Sequence, residues 1–210
     1  MLLLYMPIYM YCFTSLEQAS DRDFYLISCK LDDMIPFCEF FVIPYFLWFL
    51  YMAYGITYII FRDKGEDFYR LATMLSIGMT LFIIISFFFP NRIDIRPTSF
   101  ARDNIFVHLV KYLYTIDTPT NVLPSIHVFN SIAVHIGLSR TDRYRNNKPL
   151  TIFSAIFTAS IVLSTMFIKQ HTIIDAIAGI LLLLILYPFI YGKYDKYVMK
   201  FWHFFDSKNC

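Results

Sequence analysis

Five stretches of this chain are apolar for close to the length that crosses a bilayer: Phe40–Phe61, Leu71–Phe89, Val122–Leu138, Leu150–Ile168 and Thr172–Tyr191. A spanning helix needs about 20 mostly apolar residues, and in hydrocarbon every backbone polar group must be satisfied within the protein. Runs of this kind therefore leave little choice but a bundle of membrane helices. A sixth stretch, Met1–Phe13, is shorter and broken by Pro7. It lacks a preceding Lys or Arg and a small-residue cleavage site, so it reads as a short or tilted first transmembrane helix and not as a signal peptide. Composition agrees: the chain is 58% hydrophobic and 16% charged, against about 45–50% and about 25% in soluble domains. The expected fold class is all-α, an integral membrane six-helix bundle with the lipid bilayer as its first partner.

The connecting segments alternate in charge. Three of them carry Arg62, Lys64 and Arg70; Arg140, Arg143, Arg145 and Lys148; and Lys193, Lys196, Lys200 and Lys208. The positive-inside rule puts these in the cytoplasm, with both termini. Residues 1–210 then form a single membrane domain, with a core over about 40–191 and a cytoplasmic tail over 192–210. The outer side receives Thr14–Ile35, Pro90–Asn121 and the tight turn around Lys169–His171. Compact size and the lack of a targeting signal point to a bacterial plasma membrane. A net charge of +2 gives no reason to expect a nucleic-acid partner. The four cysteines, Cys12, Cys29, Cys38 and Cys210, show neither metal spacing nor a disulfide framework. They read as unpaired thiols, with a Cys29–Cys38 bridge as the alternative. No metal and no cofactor are expected.

Two strings on the outer side carry chemistry. Pro124-Ser125-Ile126-His127 and Lys169-Gln170-His171 each set a histidine at the edge of an apolar run, and Asp175 follows His171 by four residues. Ionisable groups at membrane depth are costly and mark functional sites by default. On one helix face, Asp175 can hold the proton of one His171 ring nitrogen and leave the other as a nucleophile. His127 can act as a general acid. Ser125 and the first-turn N–H groups can receive an anion. Arg96, held extended before Pro97, offers a fork for two phosphate oxygens, and Lys169 adds a point charge. Taken alone, the second string reads first as an interfacial histidine with a packed polar Asp175, and the first string as an ordinary Pro/Ser helix cap.

Taken together, the strings resemble the type 2 phosphatidic acid phosphatase (PAP2) superfamily. Its motifs K-x6-R-P, P-S-G-H and S-R-x5-H-x3-D correspond to Phe89-x6-Arg96-Pro97, Pro124-Ser125-Ile126-His127 and Ser164-Thr165-x5-His171-x3-Asp175. The resemblance spans about Phe40 to Tyr191. It implies a metal-independent lipid phosphatase acting on a phospholipid or isoprenoid phosphate, monoester or pyrophosphate. In that scheme His171 forms a phosphohistidine, Asp175 orients it, and His127 protonates the leaving group. Arg96, Ser125 and amides near residue 126 hold the phosphoryl oxygens. Three positions depart from the motifs: Phe89 for Lys, Ile126 for Gly and Thr165 for Arg. Lys169 and Arg92 are the candidates to restore the missing charge. With S-T-x3-K-Q-H as its third motif, the chain is similar to a branch of inositol phosphorylceramide synthase-like proteins. A lipid phosphotransferase using the same site, or a non-catalytic membrane protein that keeps the fold, are the alternatives. His108, His135 and His203 lack partners at suggestive spacing, Asp32 and Asp33 read as solvating or capping the start of the second helix, and Gly179 reads as a close-packing position.

Overall fold

The structure, a computed structural model, describes residues 2–19, 21–62 and 65–206; Lys64, Lys208 and Cys210 lie outside the described residues. Nine helices are seen among them: α1 (Leu2–Gln18), α2 (Val42–Arg62), α3 (Glu66–Phe88), α4 (Ile105–Ile116), α5 (Ile126–Arg140), α6 (Asp142–Arg145), α7 (Lys148–Phe167), α8 (Ile173–Ile190) and α9 (Asp195–Asp206). Two short strands, β1 (Tyr25–Leu26) and β2 (Asn91–Arg92), pair in parallel. Four helical stretches are long and apolar enough to cross a membrane: Glu39–Arg62, Glu66–Phe88, Lys148–Phe167 and Ile173–Ile190. The protein is all-α in class and fits an integral membrane protein.

The other two expected spans come out differently. The run Val122–Leu138 becomes α5, which starts only at Ile126 and has 15 residues. At 1.5 Å per residue it is about 22 Å long, short of the roughly 30 Å hydrocarbon core. Its place explains its composition, because α5 packs against α2, α3, α7 and α8. Phe129, Ala133, Val134 and Leu138 are fully buried, and Asn130 and Ser131 can be carried on a helix that meets protein on several sides. Phe129 of α5 fills the notch left by Gly78 of α3. The first run extends past Phe13 to Gln18 as α1, with Pro7 inside it. This helix leans on α3, where Tyr5 Oη donates to the Ser76 carbonyl at 2.8 Å.

Two further helices lie in segments that read as connections. Capped by the Asn104 side chain on Val107 N, α4 covers Val42, Tyr45 and Ile168 with Val110 and Leu113. The segment expected as a tail forms α9, docked on α3 by Trp202 Nε1 donating to Thr73 Oγ1 at 2.8 Å. Arg70 of α3 joins Asp67 and Asp195 at 2.8 Å each, and Arg140 stands over the Tyr191 ring at 5.0 Å. These contacts gather the start of α3, the ends of α5 and α8 and the start of α9 at one end of the bundle. The starts of α5 and α8 lie at the other.

Candidate functional site

The starts of α5 and α8 are tied together before any functional side chain is considered. Ser125 N donates to the Asp175 carbonyl at 3.0 Å, which joins the N-cap of one helix to the first turn of the other. The close approach needs Gly179: a Cβ there would sit 2.7 Å from the Ser125 carbonyl oxygen. Because that neighbour is backbone, it cannot swing aside, and overpacking of this kind costs about 1–3 kcal/mol. Gly179→Ala should lower the melting midpoint of the detergent-solubilised protein and wedge α8 away from the histidine of α5. An unchanged midpoint would show that the two helices can separate freely.

His127 stands in the first turn of α5, between the rings of Tyr45 and Trp48 at 4.9 and 4.5 Å. His171 lies in the turn before α8. Its Nε2 is 3.3 Å from His127 Nδ1, a contact across 44 residues of chain, and its Nδ1 is 3.5 Å from Asp175 Oδ2. That last separation is too long for a good hydrogen bond. The Asp175 carboxylate has another task, since Oδ2 accepts from Thr172 N at 2.8 Å while Thr172 Oγ1 accepts from Asp175 N. This reciprocal pair is the capping box of α8. Asp175 Oδ1 and His171 Nδ1 are both buried without a partner. With the proton on Nδ1 facing the carboxylate, His171 Nε2 is left as the lone pair that accepts from His127.

The turn bearing His171 is held from four directions. The Thr165 carbonyl accepts from both Gln170 N and His171 N. Tyr114 Oη donates to the Ile168 carbonyl at 2.6 Å. Asp32 Oδ1 accepts from Ile173 N at 2.8 Å, so Asp32 caps α8 and not, as its sequence position suggests, the start of α2. Lys169 takes a left-handed backbone, φ 56°, and its ammonium donates to the carbonyls of Asp32 and Ile35 at 2.7 and 2.6 Å. Burial pulls that ammonium below its ordinary pKa, and the Asp32 and Asp33 carboxylates act against the shift. The ammonium expected to serve an anion thus donates to backbone carbonyls of the segment that precedes α2.

Arg96 is similarly engaged. Its Nη2 donates to the Asp117 carbonyl at 2.9 Å and to Gln170 Oε1. Its guanidinium stands 4.5 Å from the Tyr114 ring centroid, and Nε is buried without a partner. Burial lowers the pKa of this guanidinium, partly opposed by Asp117. Asp117 in turn accepts from Tyr45 Oη at 2.8 Å and Gln170 Nε2 at 3.2 Å. Arg92 is an exposed residue of β2, and no hydrogen bond joins it to either histidine. Ser125 is fully buried and caps α5 through Val128 N at 3.4 Å. Thr165 is buried and bonded within α7, and Phe89 stacks on Tyr25 at 4.7 Å.

Three residues that position this end were not singled out by sequence. Asp117 and Gln170 link Arg96 to the His171 turn. Asn91 is fully buried and accepts from Val122 N and Leu123 N at 2.8 and 2.9 Å, setting the approach to Ser125. A side chain that serves backbone N–H groups, as Asn91 does, leaves no spacing pattern, and of the three only Gln170, beside His171, carried any hint. Elsewhere, His135 finds Ser154 of α7 at 2.9 Å, and Cys12, Cys29 and Cys38 are free thiols.

An apolar cavity of about 750 Å³ begins at Tyr45, Asp117, Ile126 and His127 and runs between α1, α2 and α3 to Ile60 and Phe68. Tyr45 and Ile60 are fifteen residues apart on α2, about 22 Å along the helix. Met6, Met10 and Phe49 line the cavity and are themselves exposed, so it opens through the side of the bundle.

No family model matches the chain, and no solved structure matches it. An uncharacterized protein of Methanocaldococcus jannaschii is 27% identical over 175 residues, covering 80% of this chain and 66% of the relative's length.

Proposed function

We propose that the protein is a metal-independent membrane lipid phosphatase of the PAP2 type, working through a phosphohistidine. The observation that carries this reading is the His127–His171–Asp175 row, with 3.3 and 3.5 Å between successive members, at the mouth of an apolar cavity open to the side. A lipid phosphate entering from the bilayer would lay its chain in the cavity and its phosphoryl group between the histidines, replacing their direct hydrogen bond. His171 Nε2 attacks phosphorus as the bond to the lipid oxygen breaks, and His127 gives that oxygen a proton. Water then attacks the phosphohistidine, His127 takes the water's proton, and phosphate leaves. The first turn of α5 can offer N–H groups to the developing charge, whereas those at the start of α8 are taken by Asp175, Asp32 and Thr172. The positive-inside rule places the Arg70 end in the cytoplasm and the histidine end on the outer face of the membrane.

The occupied cations favour a second reading, a non-catalytic membrane protein. Lys169 and Arg96 both serve acceptors within the protein, so a phosphate must compete for Arg96 or rely on backbone N–H groups. The two readings separate on one measurement. Purified protein in detergent with EDTA should release inorganic phosphate from a lipid among phosphatidic acid, phosphatidylglycerol phosphate, undecaprenyl pyrophosphate and sphingolipid phosphates. No release from any of them would leave the non-catalytic reading.

A further inference from the structure

The wall of the cavity is not uniformly apolar. Trp48 and Asn130 line it, and Trp48 Nε1 and Asn130 Oδ1 are both buried without a hydrogen-bond partner. Asn130 is 3% exposed, and an unsatisfied polar atom at such a site is costly unless something completes it. Both residues adjoin His127. Asn130 follows His127 by three residues on α5, one turn deeper on the same face. Trp48 packs its ring on the His127 imidazole at 4.5 Å. Other polar residues also line the cavity, among them Tyr5, Tyr9, Ser76 and Asp117, and none of them bonds to either atom.

The chemistry of the pair defines what would complete it. An indole N–H only donates, and an amide oxygen only accepts. A partner that serves both must accept one hydrogen bond and donate another. A hydroxyl or a secondary amide does so. An ester carbonyl serves only the indole, and a saturated or isoprenoid chain serves neither.

We propose that Trp48 and Asn130 form a specificity site for a lipid phosphate that carries a hydroxyl or secondary amide within two or three carbons of its phosphate ester. This rests on the lipid-phosphatase reading, because His127 must face the ester oxygen for the chain to run past Asn130. It narrows the substrate class, since isoprenoid phosphates lack such a group.

The test uses a matched pair of lipids, a 1-alkyl-glycerol 3-phosphate with its free 2-hydroxyl and the 2-deoxy analogue of the same chain. Binding to the full-length protein in detergent is measured beside phosphate release. The hydroxyl lipid should bind about tenfold tighter or more, and in Asn130→Leu the two should fall within about threefold of each other. Trp48→Phe keeps an aromatic ring against His127 and removes only the N–H, and it should also shrink the ratio. Equal binding of both lipids to the unaltered protein, binding of neither, or a ratio unchanged in both variants would overturn the proposal. A ratio that behaves as expected without phosphate release would support the specificity site and refute the phosphatase reading alone.

Discussion

His171→Ala should abolish phosphate release, lowering it by about 1,000-fold or more, because the variant loses the covalent route itself. His127→Ala should lose less, about 100- to 10,000-fold, as expected for a general acid whose proton water can partly supply. The asymmetry follows from geometry. Only His171 has a carboxylate 3.5 Å from the far ring nitrogen, while His127 has aromatic rings on two sides. Rapid quench of the unaltered protein with substrate should trap an acid-labile, base-stable phosphoprotein that His171→Ala does not form. The variant should keep its melting midpoint within a few degrees, since the turn is held by the backbone of residues 165–173 and by Asp32, not by the imidazole. Wild-type turnover in His171→Ala would sink the proposed mechanism.

The long apolar runs were legible because hydrophobic length is a direct physical requirement. Helices α2, α3, α7 and α8 lie within about five residues of the runs that announced them. The centre of the bundle was harder to read. Buried among other helices, α5 can carry Asn130, His135 and Ser139, so its apolar run says little about where it starts or whether it meets lipid. Helices α4 and α9 hide in charged segments because each buries only one face. The same division holds at the candidate site. Side chains that meet side chains, such as His127 and His171, stood out as motifs. The partners of Lys169 are main-chain oxygens at Asp32 and Ile35, and a carbonyl has no sequence. The guanidinium of Arg96 similarly meets the Asp117 carbonyl.

Lys169 is where this difference becomes measurable. As a bridge between the α7–α8 turn and the segment that precedes α2, its ammonium makes two charge-assisted hydrogen bonds in a place 9% exposed. Lys169→Ala would leave both carbonyls short of a partner, a loss of about 3 kcal/mol. For a chain of this size that is roughly 6–12 °C in melting midpoint. Lys169→Gly loses the same ammonium but suits the φ of 56°, where a Cβ costs about 1–2 kcal/mol. The glycine variant should therefore melt above the alanine variant, a ranking opposite to that of ordinary helix positions. Phosphate release should fall in both variants in step with the midpoint, because His171 rides on the same turn. If the ammonium instead serves the substrate, alanine would leave the midpoint where it was and raise KM. Midpoint and KM, read on the same samples, thus distinguish a lysine that builds the site from one that binds the phosphate.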